Sequence, residues 1–153
     1  MATNDQGQRQ PRGNLVLRTA AMPKDANANG DIFGGWILSQ MDIAAGLMAS
    51  EVAQGRTVTV SVDKMVFERP VRVGQAIGVH AELLHVGNSS MDIRLEVWAR
   101  QLLGAYEPDH QLVTEGVFRY VAVDEHGRPR RVEDNPRFFS RPETRSGDIP
   151  GTG

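Results

Sequence analysis

The chemistry in this chain is concentrated between residues 25 and 42, and its sharpest signal is Asp42. Ile37, Leu38, Met41, Ala44, Ala45, Met48 and Ala49 recur at helical spacing. Asp42 sits among them, with Leu38, Ala45 and Ala49 as its helical neighbours. A carboxylate on a core-facing stripe has to be paired, hydrogen-bonded or neutralised. Two readings are open. Asp42 is a functional carboxylate, as buried acids at active sites often are, or it lies at the helix edge and bonds a nearby hydroxyl or amide. Just upstream runs Asp25-Ala26-Asn27-Ala28-Asn29-Gly30-Asp31-Ile32-Phe33-Gly34-Gly35-Trp36. Paired glycines before a helix let another group approach its free backbone N–H groups, and the helix N-terminus carries partial positive charge. That combination suits an anion or a carbonyl oxygen becoming an oxyanion. The alternative is a flexible loop with tight helix packing. The run is not a Gly-x-Gly-x-x-Gly dinucleotide fingerprint.

Other chemistries find little support. There is no cysteine, hence no disulfide, thiolate metal site or cysteine nucleophile. His80, His85, His110 and His126 are irregularly spaced and form no His-Glu-x-x-His metal pattern, which favours a surface or structural role for each. No Gly-x-Ser-x-Gly elbow and no phosphate-binding loop ending in Gly-Lys-Ser/Thr occur. The 17 basic and 19 acidic residues leave a net charge of -2, which is no footprint for nucleic acid or an anionic membrane. The polar N-terminus lacks a signal-peptide core, and the apolar stretch from Ile32 to Ala49 is interrupted by Ser39, Gln40 and Asp42. A cytoplasmic protein is expected.

The elements that must position Asp42 can be read from the change of period. The 153 residues suit one domain. Leu15 to Met22 reads as a strand, Pro23 to Gly30 as turn chemistry, and Gly34 to Val52 as a long helix. The period then drops to two. Val58, Val60 and Val62 alternate with Thr57, Thr59 and Ser61. Ile77 to Leu83, Met91 to Ala99 and Val113 to Val123 follow as strands joined by short turns. Short connections favour antiparallel neighbours. The expected fold is α+β, one long helix wrapped by an antiparallel sheet that buries the apolar faces of both. The domain is placed at residues 14–134. Residues 1–13 and 135–153 have compositions that cannot offset ordering entropy and are expected to be disordered, with Phe138 and Phe139 the only aromatic residues of the tail.

Beyond these signals, the chain resembles the YciA-like acyl-CoA thioesterases, a family of hotdog-fold acyl-CoA hydrolases. The resemblance rests on Leu15-Val16-Leu17-Arg18-Thr19, Ala21-Met22-Pro23, the run from Asn27 to Trp36, and Ser39-Gln40-Met41-Asp42. It continues through Arg56, Val58-Thr59-Val60, Phe67, Arg69-Pro70-Val71, Val73-Gly74, Glu96-Val97-Trp98 and Tyr120-Val121-Ala122-Val123-Asp124. Leu15 to Arg131 is covered.

The resemblance implies a single hotdog domain that hydrolyses acyl-CoA to a free acid and CoA without metal or bound cofactor. It also implies a homo-oligomer, a dimer unit with sites between protomers assembled into a hexamer. By motif it assigns catalysis to Asp42 and a contribution to Asn27, the two coming from opposite protomers. The residues themselves suit such roles. Asp42 can act as general base or as nucleophile giving an anhydride, and the Gly35 N–H can hold the carbonyl oxygen. Arg56, Arg69, Ser89 and Ser90 are candidate ligands for CoA, the serines because they follow the Gly87 turn. The sequence departs from the family at Ala44-Ala45, where glycines are common, and at Leu102 to Pro108. Two rivals remain. Dehydration or hydration of a hydroxyacyl thioester usually needs a histidine, and none lies between Asn27 and Asp42. A non-catalytic acyl-CoA sensor would not need Asp42.

Overall fold

The computed structural model describes residues 9–102 and 110–142. Five strands and one long helix follow in the order β1 (Asn14–Ala20), α1 (Gly34–Ala53), β2 (Thr57–Phe67), β3 (Gln75–Val86), β4 (Ser90–Gln101) and β5 (Gln111–Ala122). A short 3-10 turn, Pro23–Asp25, opens the connection from β1 to α1. The strands form one antiparallel sheet in the order β1-β3-β4-β5-β2. This is the single α+β hotdog domain expected, with α1 packed against all five strands.

The 3.6-residue period explains how α1 seats. Ile37, Met41, Ala44, Ala45, Met48, Ala49 and Val52 are buried, and they meet the alternate residues of β3 and β4, Ile77, Val79, Ala81, Met91, Ile93, Leu95 and Val97. The two alanines that replace family glycines are wholly buried core residues. Phe33, at the N-cap of α1, supplies no side-chain cap. The other end is closed twice. Asn135 Nδ2 donates to the carbonyls of Glu51 and Val52 at 3.1 and 3.2 Å, and Arg130 donates to Ala53 O at 2.7 Å. No helix among the described residues is long and apolar enough to cross a membrane.

Two segments behave differently from what composition implies. Residues 135–142 pack on the body, with Asn135 buried and Phe138 and Phe139 against the core. The reason is specific: Asn135 satisfies helix carbonyls, and Arg141 donates to Gly87 O and Val132 O. Residues 9–13 are likewise held on the outer face of the sheet. Arg9 and Arg12 donate to Glu96, a fully buried carboxylate that also accepts from Trp98 Nε1. Residues 1–8 and 143–153 lie outside the described residues, as does the departing loop from residue 103 to residue 109.

β2 departs from its sequence pattern in another way. Its alternating valines suggest a half-buried strand, yet Val58, Val60, Val62 and Val66 are all exposed. β2 is an edge strand, paired only with β5, and it is bulged between Thr59 and Ser61 and between Asp63 and Val66.

Candidate active site

Asp42 stands on the third turn of α1 and faces the β2–β5 edge of the sheet. Thr59 on β2 and Tyr120 on β5 are register partners, so their side chains lie side by side. Thr59 Oγ1 donates to Asp42 Oδ1 at 2.7 Å, and Tyr120 Oη donates to the same oxygen at 2.5 Å. Tyr120 Oη also lies 3.1 Å from the Asp42 backbone carbonyl oxygen. Tyr120 is buried, while Asp42 is only half-buried. Burial first, and then the hydrogen bond to Asp42, push the Tyr120 hydroxyl well above the usual phenol range, so Tyr120 remains a donor. Among the described residues, Asp42 Oδ2 accepts no hydrogen bond. One carboxylate oxygen is thus fixed by two hydroxyls and the other is left unengaged.

The two readings of Asp42 therefore coincide in part. It does bond nearby hydroxyls, and it does so with one oxygen only. Thr59 and Tyr120 were not singled out by their sequence positions. The signal that finds them is the requirement that a carboxylate on an apolar stripe acquire donors.

The loop before α1 is shaped by Asn27. Its Oδ1 accepts from the N–H groups of Asn29 and Asp31 at 2.9 and 3.1 Å, and its own N–H donates to Asp31 O. Gly30, at φ 82°, lets the turn close, with its N–H on Asn27 O at 3.1 Å. Asn27 therefore organises the loop within the protomer, and no hydrogen bond joins it to Asp42. Ile32 N–H donates to Val71 O, which ties the loop to the segment after β2.

At Gly35 a Cβ would meet nothing within 4 Å, so packing in the protomer does not demand glycine there. Gly34 differs, since its Cβ would touch the Phe67 ring at 3.4 Å. Gly35 N–H lies in the first turn, where helix N–H groups have no intrahelical partner. Gly35 and Asp42 are seven residues apart on α1, which is about 10 Å along the axis.

The four candidate CoA ligands fall at two ends of the sheet. Ser89 O accepts from Ala122 N–H and Arg56 O from Val123 N–H, so Ser89, Ser90 and Arg56 flank the end of β5 on its two sides. Arg141, which donates to Gly87 O, and Arg130, beside Gly55, add two cations that sequence reading left out. Arg69 lies at the opposite end, next to the start of β5, where Glu68 N–H donates to Val113 O. There it lines an open polar cleft with Arg72, Gln75, Gln101 and Gln111. One protomer does not bring all four together.

With this geometry, the similarities to known proteins are specific. Residues 29–104 match the family model described as the thioesterase superfamily. The acyl-CoA thioester hydrolase YciA of Escherichia coli K12 is 50% identical over 122 residues, covering 80% of this chain and 92% of that protein. Among solved structures, a hexameric thioesterase from Yersinia pestis superposes with TM-score 0.77 at 51% identity, covering 82% of this chain and 100% of that one. An aspartate-to-alanine variant of a hexameric broad-specificity acyl-coenzyme A thioesterase gives TM-score 0.77 at 47% identity, covering 80% and 88%.

Proposed function

Because the chain belongs to the YciA-like acyl-CoA thioester hydrolases of the thioesterase superfamily, we propose that it hydrolyses acyl-CoA with Asp42 as the catalytic carboxylate. The observation that carries this reading is the asymmetry at Asp42: Oδ1 held by Thr59 and Tyr120, Oδ2 unengaged among the described residues. In the general-base route, Oδ2 takes a proton from water as the water oxygen attacks the thioester carbon. The carbonyl π electrons move to oxygen, and the Gly35 N–H donates to the resulting oxyanion. Collapse breaks the C–S bond, releasing the acid and the CoA thiolate, which recovers a proton. In the nucleophilic route, Oδ2 attacks the carbon itself, thiolate leaves, and water opens the anhydride.

The site is proposed to be completed between two copies of the chain. Within one helix, Gly35 and Asp42 are separated by about 10 Å, whereas an oxyanion and the attacking oxygen lie on atoms joined through a single carbon. A facing copy brings Asn27 and Gly35 of one protomer toward Asp42 of the other. Asn27 already spends its Oδ1 on the loop, which leaves its Nδ2 as the group available to orient water or the thioester. Arg56, Ser89 and Ser90 are assigned to one end of the CoA moiety. Arg69, at the other end of its own protomer, joins them only across copies. The hexameric state of the neighbours from other sources is the assembly proposed here.

Free-thiol release from acyl-CoA thioesters of increasing chain length, by wild type and Asp42→Asn, tests the reading. Asp42→Asn preserves shape and should keep the fold while cutting turnover by about 10²–10⁴, the usual contribution of a positioned acid or base. Near-normal turnover in the variant would remove Asp42 from the chemistry. No turnover by wild type with CoA still bound would favour a sensor.

A further inference from the structure

β5 turns every second residue toward α1, and the series is uneven in size. Phe118 and Tyr120 are large core side chains, and Tyr120 holds Asp42. The next position in that series is Gly116, inside the strand. A glycine there weakens the strand and marks a place where another group comes close. The group is Met65. A Cβ at Gly116 would stand 2.8 Å from Met65 Cγ and 3.7 Å from Phe118 Cε1.

Met65 reaches this place because β2 is bulged. Val62 pairs with Phe118 and Asp63 with Val117, and the register resumes at Val66 with Glu115, so Lys64 and Met65 both stand opposite Gly116. Regular pairing would turn Lys64 toward α1 and Met65 to the outer face, beside Glu115. The bulge carries Lys64 at φ 52°, a left-handed conformation that is unfavourable for a residue with a Cβ. Two unfavourable local choices, a strained lysine and a glycine inside a strand, thus serve one outcome: a half-buried methionine packed against the core on the α1 side of the sheet. Strain of this kind collects at functional sites.

From Tyr120 toward the end of β5 the neighbours are polar: Arg56, Ser89 and Arg130. In the other direction the seam between α1 and β2 is apolar. Leu38 lies one turn before Asp42, Val62 pairs with Phe118, and Phe67 lies against Gly34, all three exposed in the protomer. Gly116 is four residues from Tyr120, about 13 Å along the strand. A thioester held at Asp42 has an anionic CoA arm and an apolar acyl arm, and the two directions match them. Building on the thioesterase reading above, we propose that the acyl chain lies along the α1–β2 seam and that Met65 sets the chain length accepted there. The thioether is unbranched and soft, so it ends the seam without a rigid wall, and a longer chain has to displace it.

The test is kcat/KM for acetyl-, hexanoyl-, decanoyl- and palmitoyl-CoA, measured on the full chain for wild type, Met65→Ala and Gly116→Ala. Met65→Ala removes the stop, so the ratio of palmitoyl- to hexanoyl-CoA should rise about tenfold, the discrimination that a methylene or two in an apolar pocket confers. Gly116→Ala drives the methionine off β5 into the seam, and the same ratio should fall. Taking ratios within each variant removes any loss of folded protein. A methionine that only packs the core would lower all four substrates together. Unchanged ratios in both variants would therefore overturn the proposal while leaving thioester hydrolysis standing. No thiol release from any substrate by folded wild type would overturn the thioesterase reading, and this one with it.

Discussion

Tyr120 does two things at Asp42. It fills a core position against α1, and its hydroxyl fixes one oxygen of the carboxylate. A hydrogen bond to a charged acceptor contributes about 1.5–3 kcal/mol. Part of that contribution sets which oxygen of Asp42 is left unengaged, the one proposed to meet substrate. Tyr120→Phe keeps the ring and removes only the hydroxyl. The expected result is a roughly tenfold fall in kcat, corresponding to about 1.4 kcal/mol, with KM little changed. Thr59 still orients the carboxylate, which is why the loss stays far below that of Asp42→Asn. Steady-state kinetics on one acyl-CoA checks this, and an unchanged kcat would make the Tyr120 hydroxyl purely structural. Asp42 was legible in the sequence because a carboxylate in an apolar stripe is conspicuous. Its two donors were not, because Thr59 and Tyr120 are ordinary strand residues until register sets them side by side.

At the scale of elements, α1 is finished unequally. Its C-terminal carbonyls are met by Asn135 and Arg130, while its N-terminus has neither a side-chain cap nor bulk at Gly35. An open helix start costs stability that a cap would restore, and it leaves backbone N–H groups for a ligand. Gly35→Ala separates these effects. The added methyl meets nothing in the protomer and alanine is the better helix former, so thermal stability should hold or rise slightly. Thioester turnover should fall, because the methyl intrudes where the carbonyl must approach. Melting temperature and kcat/KM measured together decide it, and full activity would move the oxyanion donor elsewhere. The periods of 3.6 and 2 made α1 and the strands readable. They did not reveal the packing of residues 135–142, because an asparagine reaching helix carbonyls leaves no periodic trace. Nor did they place Arg69 away from Arg56, since the alternation read in the sequence stops at Val62 whereas β2 runs on to Phe67 and carries the two residues to opposite ends of the sheet.

The whole molecule is incomplete at β2. Val58, Val60, Val62 and Val66 are exposed on an eleven-residue edge strand, with Leu38, Ile43 and Leu47 exposed on the helix. Long apolar edges with unpaired backbone groups recruit another strand unless charge or proline blocks them. No proline interrupts β2, and its charges are Asp63 and Lys64, at the bulge. A second copy is the occupant that also fits the proposed chemistry, in which a facing helix start would meet each Asp42. Assembly and turnover should therefore fail together. Val60→Lys puts a charge in the middle of that edge without touching Asp42, Thr59 or Tyr120. It should shift the protein from its oligomer to smaller species by light scattering. At the same protein concentration it should lower thioester hydrolysis in proportion to the oligomer lost. Raising the concentration should restore both in parallel, by mass action. A fully active monomer would show that one protomer holds a complete site, and the 10 Å between Gly35 and Asp42 would then have to be bridged within a single α1.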